Sequence, residues 1–333
     1  MNESQQGTLS KVSALWRTLP SLIRTAEVHA TLRGSNPQAC VVTGLGGSEW
    51  PSRVFEWLMR SRGKACEFVP LSRFVTDAPA ADTLVVFSQY LSNNVAFALR
   101  AAKNYHRVLI VSALDDVCCR ERLAALGVAL PTFEWVTVPT PDERSFLFRP
   151  VGPALMATVG VSRVLESWGL DALPLAAIAD AYEYAEQVNN IDHVSNAVLS
   201  LGRDSGVAAA LAWKANEALG QPVPSWDAVG FAHGGFQAIF EAPTFEALLL
   251  LPETTCGRMI ESGVRSMLGP RHHTVRTFTS KENGLPAPFA YDATFTPYLL
   301  ARLESTGRDL EAWPGKGCDG AMYNLTKLDR DAP

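Results

Sequence analysis

Several protein classes are excluded by what this sequence lacks. Charged residues make up only 19% of its 333 residues, and the net charge of −5 leaves no basic surplus for binding nucleic acid. No run of about 20 apolar residues is present to cross a membrane. The N-terminal segment has neither the apolar core nor the small-residue cleavage site of a signal peptide, so we expect a cytoplasmic protein.

Spacings typical of metal sites are missing as well. The six cysteines include no C-x-x-C pair, and the six histidines show no H-x-x-x-H spacing. Free cysteine usually behaves as a small, buried, apolar residue. We therefore predict no metal site.

Apolar residues, by contrast, make up 47% of the chain, which is enough for a large core. Segments typical of buried strands alternate with segments of helical periodicity, and this alternation predicts an α/β fold with parallel sheets flanked by helices on both faces. The predicted strands lie within 40–50, 66–71, 83–89, 107–113, 133–139, 197–202 and 246–252, and the predicted helices include 10–34, 51–63, 206–219 and 295–306.

A largely helical stretch over 150–187 separates two halves of similar organisation, so we predict two α/β subdomains. The helix at 206–219 follows two candidate N-cap residues, Asp204 and Ser205. The predicted division is a helical segment at 1–35, a first subdomain at 36–165, a helical connection at 166–190, and a second subdomain with a C-terminal tail at 191–333.

A glycine-rich turn at Gly44–Ser48 lies between a predicted strand and a predicted helix. Backbone N–H groups at a helix N-terminus favour anions, and glycines let a ligand approach closely. The dinucleotide pattern G-x-G-x-x-G would need glycine where Glu49 stands, and the G-K-S/T of a nucleotide-binding P-loop is absent. We therefore expect no nucleotide cofactor, and a plain strand-to-helix connection remains an alternative for this turn.

A second polar turn, at Ser88–Asn94, follows the predicted strand at 83–89. Hydroxyl and amide groups at the carboxyl end of a strand can hold a sugar or a phosphate, because open α/β sheets bind ligands at that edge. The same residue types also cap helices, which is the alternative reading.

Together the two turns resemble those of the sugar isomerase (SIS) domain family, which has a G-x-G/T-S turn and a later S-x-S-G-x-S/T phosphate loop. Tyr90 and Leu91 stand where the family loop has serine and glycine. The loop over 141–150, with Arg144 and Arg149, lies where the family covers its sugar. An arginine there could bind a phosphate or carboxylate, or could simply be a surface residue. By this resemblance the substrate-binding or phosphate-binding residues are Gly46, Gly47, Ser48, Ser88, Gln89, Ser92 and Asn93.

Three segments of the second half resemble the isomerase half of glucosamine-6-phosphate synthase. They are the run at 210–219, the G-F-A-H-G at 230–234 and the N-L-T-K at 324–327. The resemblance implies that Glu217 moves a proton between C1 and C2 of a sugar and that Lys214 stabilises the charge developing on oxygen. It implies that His233 opens the sugar ring and that Lys327 forms a Schiff base with the open-chain ketose or positions its carbonyl.

The spacing of Lys214 and Glu217 places both on one helix face, where they could equally form a solvated ion pair. Because that helix is otherwise apolar, a charge on it needs either a partner or a function. A partly buried carboxylate beside a lysine can be tuned as a general base.

The resemblance implies an enzyme that acts on a ketosamine of the fructosamine 6-phosphate type, as a deglycase or a deaminating isomerase, through an enolamine or enediol. The alternatives are an aldose–ketose phosphosugar isomerase without amine chemistry and a non-catalytic phosphosugar-binding protein. We expect no cofactor and no nucleic-acid or membrane partner. The family further implies a homodimer, or a higher homo-oligomer, with a shared active site.

Overall fold

The computed structural model describes residues 3–130, 132–184, 195–240, 242, 244–271, 273–281, 284–318, 320–323 and 325. It divides into two compact units. We call Ser21–Leu175 with Glu311–Pro333 the first-sheet unit, and Met1–Pro20 with Ala176–Leu310 the second-sheet unit. The predicted domain boundaries at 35, 165 and 190 stay predictions.

The first sheet runs, from edge to edge, in the order β1-β6-β5-β4-β2-β3. All neighbouring strands are parallel except β1, which is antiparallel to β6. The central strands β4 and β5 are buried along almost their whole length and mostly apolar, as expected for strands covered on both faces. The strands are β1 (His29–Thr31), β2 (Ala39–Thr43), β3 (Ala65–Phe68), β4 (Thr83–Phe87), β5 (Arg107–Ser112) and β6 (Glu134–Thr137).

Helices cover both faces of this sheet. On one face, Val41, Leu84 and Ile110 join a core cluster with residues of α4 and α5. On the other face, Phe55 of α2 packs against Phe87, and a π turn at Met156–Gly160 joins α6 to α7 above Val111. The helices are α2 (Glu49–Ser61), α3 (Arg73–Thr76), α4 (Ala96–Arg100), α5 (Asp116–Ala125), α6 (Val151–Leu155), α7 (Val161–Ser167) and, in the tail, α14 (Gly320–Tyr323). Two other helices, α1 (Glu3–Thr25) and α8 (Leu175–Glu183), each contain a boundary between the two units.

The second sheet is parallel, in the order β10-β9-β7-β8. One face packs on α10, α11 and α12, while Phe278 on β10 contacts Phe295 of α13. The elements are β7 (Ser195–Ser200), α9 (Ser205–Leu219), β8 (Ser225–Asp227), α10 (Ala228–Phe231), α11 (Gly235–Ile239), β9 (Phe245–Pro252), α12 (Thr255–Leu268), β10 (Thr274–Ser280) and α13 (Ala287–Thr306). None of the helices in the described part of the chain has the length and hydrophobicity needed to span a bilayer.

Three local predictions differ from the structure. The predicted helix at 10–34 is helical only to Thr25, and its last part contains β1, the edge strand that hydrogen-bonds to β6. β8 and β10 were not predicted, because their short or polar segments lack the apolar run of a buried strand. Asp204 precedes α9 but makes no side-chain cap bond, and it accepts instead from the Tyr291 hydroxyl at 2.9 Å.

Candidate functional site

The two turns singled out in the first half meet at the carboxyl edge of the first sheet. The chain leaves β2 to form β3 on one side and β4 on the other, so the connections after β2 and β4 diverge there. This is the type of crevice in which open α/β sheets bind ligands. The turn after β2 needs glycine at two positions: a Cβ at Gly44 would collide with Ser48, and Gly46 has a φ of 58°.

Direct hydrogen bonds join and shape these turns. The Gln89 backbone N–H donates to Ser48 Oγ at 3.3 Å, which links the turn after β2 to the turn after β4. Within the second turn, the Ser92 N–H donates to Ser88 Oγ at 3.3 Å. Arg122 donates to Asn93 Oδ1 at 2.8 Å. The structure therefore brings together polar residues that lie about forty positions apart in the sequence.

The Gln89 side chain lies at the centre of this crevice. Its Nε2 is 3.3 Å from the Tyr90 hydroxyl and 3.2 Å from Thr140 Oγ1, in the loop that follows β6. A Cβ added to Gly152, at the start of α6, would overlap the Gln89 amide. Glycine at position 152 thus leaves the space that the Gln89 side chain occupies.

A buried carboxylate, Glu143, supports the Gln89 side chain and was not predicted from the sequence. It accepts from the backbone N–H groups of Val151 at 3.0 Å and Gly152 at 2.6 Å, and so caps α6. Burial raises the pKa of Glu143, while the two N–H groups and the Gln89 side chain act in the opposite direction. Its position eight residues before the helix gives no recognisable sequence signal, because the loop must fold back before the contact exists.

Leu91 occupies a backbone conformation that favours glycine. Its φ is 48°, its side chain is fully buried, and its carbonyl accepts from Arg122 Nε at 2.9 Å. Leucine stands here where the family loop that this turn resembles has glycine, the residue that adopts a positive φ most readily. That conformation costs an L-residue about 1–2 kcal/mol.

A turn of the same shape follows β7 in the second-sheet unit. Gly202 has a φ of 52° and opens a short 3-10 turn before α9, as Gly46 does before α2. Asp204 here takes the place that Ser48 has in the first turn. Because Asp204 carries a carboxylate where Ser48 has a hydroxyl, this second turn is less suited to an anion.

Lys214 on α9 lies inside a buried polar network. Its Nζ donates to Asp292 Oδ1 at 2.5 Å and to Thr296 Oγ1 at 2.9 Å, and the Tyr182 hydroxyl donates to the other Asp292 oxygen at 2.9 Å. Lys214 is 6% exposed and Asp292 is fully buried. The charge on the apolar helix therefore has a partner. Asp292 has a similar signal, an acid within an apolar stretch of a helix, and could have been found by it.

Glu217 lies one helical turn after Lys214 and is partly buried. His233 is exposed, in the turn between α10 and α11, where its backbone N–H donates to the Gly230 carbonyl. Lys327 lies outside the described residues. Among the described residues, no three His, Cys, Asp or Glu side chains are grouped so as to hold a metal ion.

Arg144 and Arg149, the two arginines that the sequence suggested for binding an anion, make contacts within their own loop. Arg144 forms a two-bond ion pair with Asp142, at 2.9 and 2.8 Å, and its guanidinium lies 5.5 Å from the centre of the Tyr90 ring. Arg149 donates to the Phe146 carbonyl. The loop after β6 is thus tied to itself and to the crevice.

No protein-family model and no curated protein matches this chain. Solved structures do match it in fold. The Escherichia coli tagatose-6-phosphate ketose/aldose isomerase superposes with a TM-score of 0.62 at 15% identity, over 92% of this chain and 91% of that one. The fold is that of the sugar isomerase domains.

Two further structures with the SIS fold differ in the reaction named for them. Thermotoga maritima glucosamine-6-phosphate deaminase gives a TM-score of 0.62 at 13% identity, covering 94% of this chain and 98% of that one. The C-terminal domain of glucosamine-fructose-6-phosphate aminotransferase from Francisella tularensis gives 0.58 at 9% identity, with 92% and 97% covered. At such identities the likeness establishes the fold of this chain and leaves its reaction open.

Proposed function

We propose that this protein is an enzyme of sugar carbonyl chemistry that acts on a ketosamine at C1 and C2. The observation that carries the proposal is the crevice at the strand-order reversal of the first sheet, where Ser48 and Gln89 are joined by a hydrogen bond. Its hydroxyl and amide groups suit a sugar, and its fold is shared with the deaminase and aminotransferase structures above.

The proposed reaction consists of two proton transfers followed by the hydrolysis of an imine. A base removes the C1 proton of the ketosamine, the resulting enolamine is protonated at C2, and an imine at C1 remains. Water then hydrolyses that imine to an aldose and an amine. Run as a deglycase or as a deaminating isomerase, this sequence of steps needs no change of oxidation state overall.

Three of the residues proposed for these steps keep the roles that the family resemblance implies. Glu217 moves the proton between C1 and C2, and His233 opens the ring. Lys327 positions the open-chain carbonyl, or condenses with it to a Schiff base and releases a water that is taken up again when the Schiff base is hydrolysed. The Lys214 ammonium is already paired with the Asp292 carboxylate. Lys214 would therefore act by positioning the face of α9 that carries Glu217. The family's shared active site makes a homodimer, or a higher homo-oligomer, part of the same proposal.

An aldose–ketose isomerase without amine chemistry is the second candidate, favoured by the likeness to tagatose-6-phosphate isomerase. Borohydride separates the two. A trapped adduct on Lys327 after incubation with a ketosamine supports amine chemistry, whereas turnover of a ketose with no trapped adduct supports the plain isomerase. Binding without turnover would support a non-catalytic sugar-binding protein.

The proposed function is tested by incubating the purified chain with fructosyl-amines, with and without a 6-phosphate, and following C1 and C2 by NMR. We expect consumption that is lost in Glu217→Gln. Glu304→Gln, the same change at an exposed position of α13, serves as the matched control and should keep full activity. Full activity in Glu217→Gln would remove Glu217 as the base.

A further inference from the structure

The turn that follows β4 differs from a phosphate cradle in how its donors are used. A phosphate is normally held by backbone N–H groups that point at it. Here the Gln89 N–H donates to Ser48 Oγ, and the Ser92 N–H donates to Ser88 Oγ. The Asn94 side-chain amide donates at 2.8 Å to the Met322 carbonyl of the tail. These donors are therefore already paired with neutral acceptors of the protein.

The charged groups near the same turn also have partners within the protein. Arg122 directs its guanidinium to the Leu91 carbonyl and to Asn93 Oδ1. Arg144 is paired with Asp142. Glu143, with its buried carboxylate, contacts the Gln89 side chain. A phosphate dianion entering beside Gln89 would approach this carboxylate, and like charges at short range disfavour each other.

Tyr90 changes the shape of the crevice as well as its chemistry. It stands where the family loop has a serine, and its hydroxyl lies 3.3 Å from Gln89 Nε2 and 3.5 Å from the Pro141 carbonyl. A phenol there adds an apolar ring and a group that can both donate and accept. Sugar hydroxyl groups also donate and accept, so they can replace such bonds one for one without bringing charge.

Resting on the proposed function, we infer that the crevice takes an unphosphorylated ketosamine, with Tyr90 and Gln89 as the residues that select a neutral sugar hydroxyl over a phosphate. Glu143 acts through Gln89 as a positioning residue. This assignment concerns only the phosphate of the substrate and leaves the proposed chemistry at C1 and C2 unchanged.

The test compares one fructosyl-amine with its 6-phosphate, by kcat/KM and by calorimetric binding to the wild-type chain. We expect the unphosphorylated compound to be preferred by about tenfold or more, the equivalent of one hydrogen bond to a charged group. Preference for the 6-phosphate would overturn the inference and leave the proposed function standing. If neither compound is turned over, the result counts against the proposed function. The binding measurement then still tests the inference, and failure to bind the unphosphorylated compound overturns the inference.

A change towards the family loop gives a second, independent readout. Tyr90→Ser should shift the ratio of the two kcat/KM values towards the 6-phosphate by about tenfold, and Tyr90→Ser/Leu91→Gly should shift it at least as far. Tyr105→Phe is the matched control, because it alters a tyrosine of the same unit whose hydroxyl bonds to the Pro79 carbonyl, outside the crevice. An unchanged ratio in both folded variants would refute the role of Tyr90.

Discussion

Replacing Asp292 with alanine should destabilise the second-sheet unit more than any change to its exposed ion pairs. Asp292 is fully buried and accepts from the Lys214 ammonium, the Thr296 hydroxyl and the Tyr182 hydroxyl. Alanine would leave that ammonium buried with one neutral partner and would strand the Tyr182 hydroxyl beside it.

The expected cost follows from the burial. Removing one member of a buried ion pair costs about 3–5 kcal/mol, because the other charge stays desolvated and unbalanced. For a domain of about 150–250 residues, 1 kcal/mol corresponds to about 2–4 °C in melting temperature. A loss of about 4 kcal/mol should therefore lower the melting temperature of this unit by about 8–16 °C.

Urea unfolding of the full chain, followed by tryptophan fluorescence, measures this cost. Trp16 packs edge-on against Tyr182, with ring centres 5.3 Å apart, and so reports on the region around the network. Glu253→Ala is the matched control, because its pairing with Lys281 is exposed and should be worth no more than about 1 kcal/mol.

A double variant tests the cause. Lys214→Met/Asp292→Leu removes both charges, so it should recover most of the stability that Asp292→Ala loses. The reasoning is refuted if Asp292→Ala costs no more than Glu253→Ala. It is also refuted if the double variant is as unstable as the two single losses added together, because the charges would then not be coupled.

Three further predictions concern Gly152 in the crevice, the buried Tyr182 and the proposed ring-opening residue His233. Gly152→Ala should raise KM several-fold, because the added methyl group displaces the Gln89 side chain. The free energy of unfolding should change by about 1 kcal/mol or less. Steady-state kinetics and urea unfolding measure the two effects, and an unchanged KM would contradict the prediction. Burial and the nearby Asp292 carboxylate raise the pKa of Tyr182 above its ordinary value, so the folded state holds this proton above about pH 10 when the unfolded chain has lost it. Stability should then fall with rising pH, by up to about 1.4 kcal/mol per pH unit from this group, and fall less steeply in Tyr182→Phe; equal slopes would contradict the assignment. His233→Asn should lose most activity on a cyclic substrate without changing the melting temperature, whereas His106→Asn, at another exposed histidine, should change neither.

Much of the fold could be predicted from sequence because the signals are local. Apolar runs predicted β2, β4, β5, β7 and β9, and apolar residues at helical spacing predicted α2, α9 and the last half of α13. The sequence did not predict β1, β8 and β10, because a short or polar strand depends on pairing with a neighbouring strand more than on its own composition.

The candidate site divides in the same way. The glycine-rich turn and the polar turn after β4 were found because each carries its own residue pattern. Glu143 was not found, because its contact with α6 exists only once the loop has folded back. Asp292 was not named either: its place in an apolar stretch of helix signals a buried acid, and only the structure shows that its partner is Lys214 on α9. Seven residues of the two turns were named from sequence, and the hydrogen bond that joins Ser48 to Gln89 needed the sheet.

The sequence by itself determined the class of the protein, since alternating strand and helix periodicities admit few architectures besides parallel sheets covered by helices. It also determined which turns carry polar and glycine residues. Only the tertiary structure decided that Lys214 is matched by a buried carboxylate, that Leu91 adopts a left-handed turn, and that the Ser48 hydroxyl accepts from Gln89. These depend on strand order and on helix packing, which bring together residues tens of positions apart and which no local pattern encodes.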